Sequence, residues 1–125
     1  MTVIISITGT CDDTFNSTNQ EIFYSEVIGS YEMDINCSWI IKVPDDRAVI
    51  LAIIDLSLYP SMNCEQSSLT AFDGPSEYSS MLGDRMCGPT VIENIESTGN
   101  EIYLLYTSTL MNGTDHFKIA YNISG

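Results

Sequence analysis

The chain has 125 residues, enough for one domain with a true core and too few for two. Hydrophobic residues at 44% exclude an intrinsically disordered chain. Asp and Glu total 17 against 4 Lys and Arg, and the formal net charge of -13 repels phosphate backbones, heparin-like polyanions and acidic membrane surfaces; nucleic acid is excluded as a partner.

A mildly apolar first strand is predicted at residues 2–8. The segment lacks the basic flank of a signal peptide, and its apolar part is too short for one. Residues 1–10 are therefore read as an N-terminal extension or first strand ahead of a domain spanning 11–125, and the chain as a mature or excised domain. A second strand is expected at 21–25 and a third at 36–43. In the third, period-two alternation puts Cys37, Trp39, Ile41 and Val43 on one face and Asn36, Ser38 and Lys42 on the other. Trp39 is thus expected in the core, not on a ligand-stacking surface. The turn Pro44-Asp45-Asp46 leads to a strand at 48–56. It contains the longest apolar run, Ala48 to Ile54, far too short to span a bilayer. No direct membrane insertion is expected.

Next comes a loop, Tyr59-Pro60-Ser61-Met62-Asn63, and a strand at 68–72 closed by Asp73-Gly74-Pro75. Further strands are expected at 90–92, at 101–106 after Thr98-Gly99-Asn100, and at 116–123. In the last, Phe117, Ile119 and Tyr121 share a face opposite Lys118 and Asn122. No segment carries a sustained apolar stripe at helical spacing. Many short strands separated by turns predict an all-β protein in which two antiparallel sheets bury their inner faces as a sandwich.

Cys11, Cys37, Cys64 and Cys87 leave three connectivities open. Their wide spacing excludes a C-x-x-C zinc or redox motif. Four N-glycosylation sequons begin at Asn16, Asn36, Asn112 and Asn122. Strand alternation turns Asn36 and Asn122 to the solvent side, where a glycan fits. Cysteines and sequons together point to an extracellular protein.

Catalytic candidates are few. The single histidine, His116, opens a strand beside Asp115 and reads as a solvated turn residue. There is no Gly-x-Ser-x-Gly, His-Glu-x-x-His or phosphate loop, and with 17 acids carboxylate pairs are inevitable. No enzyme activity, catalytic residue or cofactor is expected.

The order of several weak motifs resembles the CUB domain family. Asn36-Cys37-Ser38-Trp39-Ile40-Ile41 followed by Pro44 is similar to the strand of the family's second cysteine. A long apolar strand ends in Asp55-Leu56-Ser57-Leu58, and Cys64 precedes Leu69-Thr70-Ala71-Phe72-Asp73-Gly74. Cys87-Gly88, Ser97-Thr98-Gly99-Asn100, Tyr106-Thr107-Ser108 and Phe117-Lys118-Ile119-Ala120-Tyr121 complete the pattern over residues 11–121. Only the stretch Ser25-Glu26-Val27-Ile28-Gly29-Ser30-Tyr31-Glu32 departs from it, lacking the family's usual proline. The resemblance implies a jelly-roll-like sandwich with sequential disulfides, Cys11–Cys37 and Cys64–Cys87.

Many CUB domains bind calcium through three carboxylates supported by a tyrosine. The tyrosine is matched by Tyr31, while Tyr59, Ser67 and Thr109 stand at the carboxylate positions. A hard dication wants six to eight oxygens, mostly charged. No metal is therefore expected at this site, although Glu65, Asp55 and Asp115 lie near enough in sequence to rebuild one. Tyr31, Tyr59 and Met62 are candidate binding-loop residues, since exposed Tyr and Met are typical of contact surfaces; alternatively Tyr59 fills the space left by the metal. The resemblance implies a protein-binding module, one domain of a larger secreted or cell-surface protein, meeting an extracellular protein ligand or a neighbouring domain. The alternative is a stand-alone secreted carbohydrate-binding or structural domain, as in sperm-surface CUB proteins, with a glycan as partner.

Overall fold

In the computed structural model, residues 3–7, 13–16, 21–26, 35–108 and 116–123 are described, those before 36 and positions 90, 93 and 116 by their backbone alone. Among them alternation of apolar and polar side chains builds ten strands. In chain order they are β1 Val3–Ile7, β2 Asp13–Asn16, β3 Glu21–Glu26, β4 Ile35–Lys42 and β5 Val49–Leu58. They continue as β6 Ser67–Asp73, β7 Ser80–Met81, β8 Gly88–Glu96, β9 Glu101–Ser108 and β10 His116–Ile123.

Two five-stranded sheets result, ordered β1-β3-β10-β5-β8 and β2-β4-β9-β6-β7. Pairing is antiparallel except at one edge of each sheet, where β1 runs parallel to β3 and β2 parallel to β4. The first four strands alternate between the sheets, so strands two apart are neighbours in one sheet and run the same way. β1 falls within residues 1–10 and is hydrogen-bonded into the first sheet.

The sheets meet over one apolar core. Trp39 from β4, Tyr106 from β9 and Phe117 from β10 are among its largest buried side chains. Phe117 lies edge-on to Trp39 at 5.5 Å between ring centroids and tilted against Tyr106 at 6.3 Å, so these aromatics join the two sheets. Such ring pairs contribute roughly 0.5–1.5 kcal/mol beyond area burial. The face expected from alternation in β4 is buried throughout, from Cys37 to Val43.

A polar hub locks one pole. In the turn between β8 and β9, the Ser97 hydroxyl accepts the Val49 amide at 2.8 Å and donates to the Gly99 carbonyl at 2.6 Å. The Thr98 amide and hydroxyl donate to the two carboxylate oxygens of Asp73 at 2.9 and 2.7 Å. Asn100 accepts the Val43 amide on its carbonyl and donates its side-chain amide to the Val43 carbonyl. One four-residue turn thereby ties together β4, β5 and β6. The opposite pole is left to an exposed loop.

Candidate functional site

At the second pole β5 ends on the buried Leu58, and the chain turns out to solvent at Tyr59. A single 3-10 turn, Met62–Cys64, carries the loop back toward β6. The Cys64 amide donates to the Ser61 carbonyl at 3.1 Å, and the Ser61 hydroxyl accepts the Gln66 amide at 3.1 Å. These bonds fix the loop without an apolar anchor of its own. Asn63 and Cys64 both have left-handed backbones, φ 56 and 52. Asn tolerates that region well and most other non-glycine residues do not.

A disulfide from Cys64 to Cys87, with Cα atoms 5.5 Å apart, staples this loop to the start of β8. Gly88 follows at φ 69, a conformation strained for any side chain, and packs its backbone beside Pro60. Cys37 is disulfide-bonded as well, and Cys11, its expected partner, lies outside the described residues.

Met62 is 83% exposed and Tyr59 46% exposed, two large side chains displayed on one loop. The staple also brings in a segment that sequence reasoning missed. Met81, itself 46% exposed, lines a hollow with Asn63, Cys64, Glu65, Asp84 and Arg85. The Cys64–Cys87 pairing was the available signal: residues just before Cys87 must lie beside the loop that Cys64 closes. Tyr31, the third candidate of the binding loop, lies outside the described residues.

Of the matched metal positions, Tyr59 and Ser67 are described. Ser67 is wholly buried at the start of β6, and its hydroxyl donates to Ser108 at the end of β9 at 3.0 Å. Thr109 and Asp115 lie outside the described residues; Asp55 and Glu65 are exposed. Among the described residues no three His, Cys, Asp or Glu side chains gather as a metal site would need. Of the sequon asparagines, Asn36 and Asn122 are exposed, Asn16 is described only as backbone in β2, and Asn112 lies outside the described residues. Among the described residues no helix is long and apolar enough to cross a membrane.

The sequence matches the CUB domain profile over residues 11–121. It is 30% identical over 112 residues to cubilin from Sus scrofa, covering 89% of this chain and 3% of cubilin's length. The fold is similar to the full extracellular region of zebrafish Gpr126/Adgrg6, with a TM-score of 0.74 at 20% identity, over 93% of this chain and 15% of that one. It is also similar to the crystal structure of the MASP-1 CUB2 domain bound to Ca2+, with a TM-score of 0.67 at 17% identity, over 90% of this chain and 99% of that one. The chain thus spans a small part of the longer relatives it matches.

Proposed function

The chain belongs to the CUB domain family, and from that premise we propose that it binds an extracellular protein through the pole that carries Tyr59 and Met62, without calcium. CUB domains are protein-binding modules and not catalysts, and they recur within larger secreted and cell-surface proteins. The observation that carries the choice of pole is the exposure of Met62 and Tyr59 on a loop held by a disulfide and by its own backbone bonds. A preordered apolar display loses little side-chain and loop freedom on binding, which favours affinity. Met81 lines a hollow with Asn63 and Cys64 of the same loop.

The residues present do not fit calcium. Tyr59 and Ser67 offer neutral oxygens where a dication needs carboxylates, and the Ser67 hydroxyl is already engaged inside the protein. Recognition is therefore assigned to the side chains themselves and not to a metal-ordered loop. An extracellular setting for the whole protein, as a partner of soluble or cell-surface proteins, is supported by the cysteine pairing, the sequons and the zebrafish extracellular region that shares the fold.

A photoreactive methionine analogue at position 62 tests this reading in protein secreted from eukaryotic cells. It is expected to trap an extracellular protein with equal yield in calcium and in EDTA. The double variant Tyr59→Ala/Met62→Ala should abolish competition by the unlabelled protein. Trapping that needs calcium, or competition that survives the double variant, would overturn the assignment.

A further inference from the structure

The sandwich does not close where β8 and β7 form the edges of their sheets. Among the described residues β8 is hydrogen-bonded to β5 alone. On the facing side, the segment after the two-residue β7 is tied to β6 by the Leu82 amide on Ala71 and by the reciprocal amides of Leu69 and Met86. Between these edges runs a groove of about 330 Å³, at the small end of ligand-sized pockets.

Its floor is apolar: Leu82 and Met86 from the segment between β7 and β8, Ile92 and Ile95 from β8 itself. Met86 belongs to the core, and the other three pack against it half-exposed. The presence of both isoleucines on the floor follows from an irregularity in β8. Ile92 pairs with Ile53 and Ile95 with Leu51, so one extra residue of β8 is accommodated between them. That bulge turns both isoleucines toward the core although they are three apart, and a regular strand would turn one of them out.

The rim is acidic. Asp84 and Glu96, both exposed, line it. Asp84 also borders the adjoining hollow, which Arg85 lines with Glu65 and Met81. In a molecule of net charge -13 this is an apolar slot inside a strongly negative field. A second copy of the chain would bring acid against acid, so charge complementarity selects a basic occupant.

We propose that this groove is a second binding surface, separate from the Tyr59–Met62 loop, and that it takes a partner's peptide segment with adjacent apolar side chains flanked by Lys or Arg. The apolar side chains fill the floor between Leu82, Met86, Ile92 and Ile95, and the flanking cations meet Asp84 and Glu96.

The probe is a capped heptapeptide with a Leu-Val-Leu centre and a Lys-Arg pair at each end, titrated into the full chain and followed by amide chemical shifts. Shifts are expected to concentrate at residues 82–96. Asp84→Lys with Glu96→Lys should weaken binding about tenfold, as the loss of two exposed charge pairs would, while Tyr59→Ala/Met62→Ala leaves it unchanged. A peptide with a Ser-Ser-Ser centre should lose binding, which tests the apolar floor without altering the protein. Shifts spread over the acidic surface, shifts centred on Met62, or equal binding of the serine peptide would overturn the proposal. So would concentration-dependent dimerisation through residues 82–96, which assigns the groove to a second copy.

Discussion

Ser97 shows how much one hydroxyl can hold. It is buried, accepts the amide that opens β5 and donates to a carbonyl within its own turn. Ser97→Ala leaves both groups without that partner, so a loss of roughly 1–3 kcal/mol is expected in urea unfolding. A change under a few tenths would mean that water substitutes for the hydroxyl. At the sequons, expression through a eukaryotic secretory pathway should add glycan at some of Asn16, Asn36, Asn112 and Asn122, seen as mass removed by an N-glycosidase. An unshifted mass would count against the extracellular setting. Trp39 was legible as core because Cys37, Ile41 and Val43 share its parity in β4. The burial of Ser68, Thr70 and Phe72 was not legible, since alternation in β6 predicts one exposed face and every residue from Ser67 to Phe72 is buried. The loop after β6 returns over the same outer face, where Glu77 lines a cleft with Tyr103 and Leu105 of the neighbouring β9; no local pattern encodes such a return.

Among elements, the loop between β5 and β6 depends on its staple. Cys64 and Cys87 are 23 residues apart in sequence, and closing such a loop in the unfolded chain contributes roughly 3 kcal/mol in the chain-entropy model. Cys64→Ser/Cys87→Ser should therefore lower the unfolding free energy by about that amount and expose the segments around Met62 and Arg85 to protease before the rest of the molecule. Cleavage starting elsewhere would show that the backbone bonds of the loop suffice alone. Strands β4, β9 and β10 could be read from sequence because each buries one clean face. β2 and β7 could not: four and two residues long, they exist because a neighbour offers a hydrogen-bonding edge. β8 was foreseen as residues 90–92 and spans Gly88–Glu96, because its bulge breaks the alternation that marks a strand. The left-handed backbone at Asn63 and the nearness of Met81 belong to tertiary structure and left no local signature.

At the scale of the whole molecule, charge and topology dominate. With a net charge of -13, any salt should raise the melting temperature by screening self-repulsion. Calcium should do no more than magnesium, since the Tyr59, Ser67 and Thr109 positions lack carboxylates. A ligand bound only by the folded state stabilises by RT ln(1 + [L]/Kd), so a calcium-selective rise in melting temperature would expose a specific site and end the calcium-free reading. The two poles are held differently: the polar hub around Ser97 ties the strands at one end, and a disulfide-stapled loop that exposes Tyr59 and Met62 stands at the other. The placement of β10 has a different consequence. It lies in the middle of its sheet, flanked by β3 and β5, and brings Phe117, Ile119 and Tyr121 into the core. On a ribosome, every earlier strand emerges before the one that joins β3 to β5. Until β10 arrives, two long edges stay open and the aromatic centre lacks Phe117, a state prone to pair with other chains. A ribosome stalled before His116 should therefore hold a chain whose first sheet is split between β3 and β5, with amide protection at those edges lower than in the full domain.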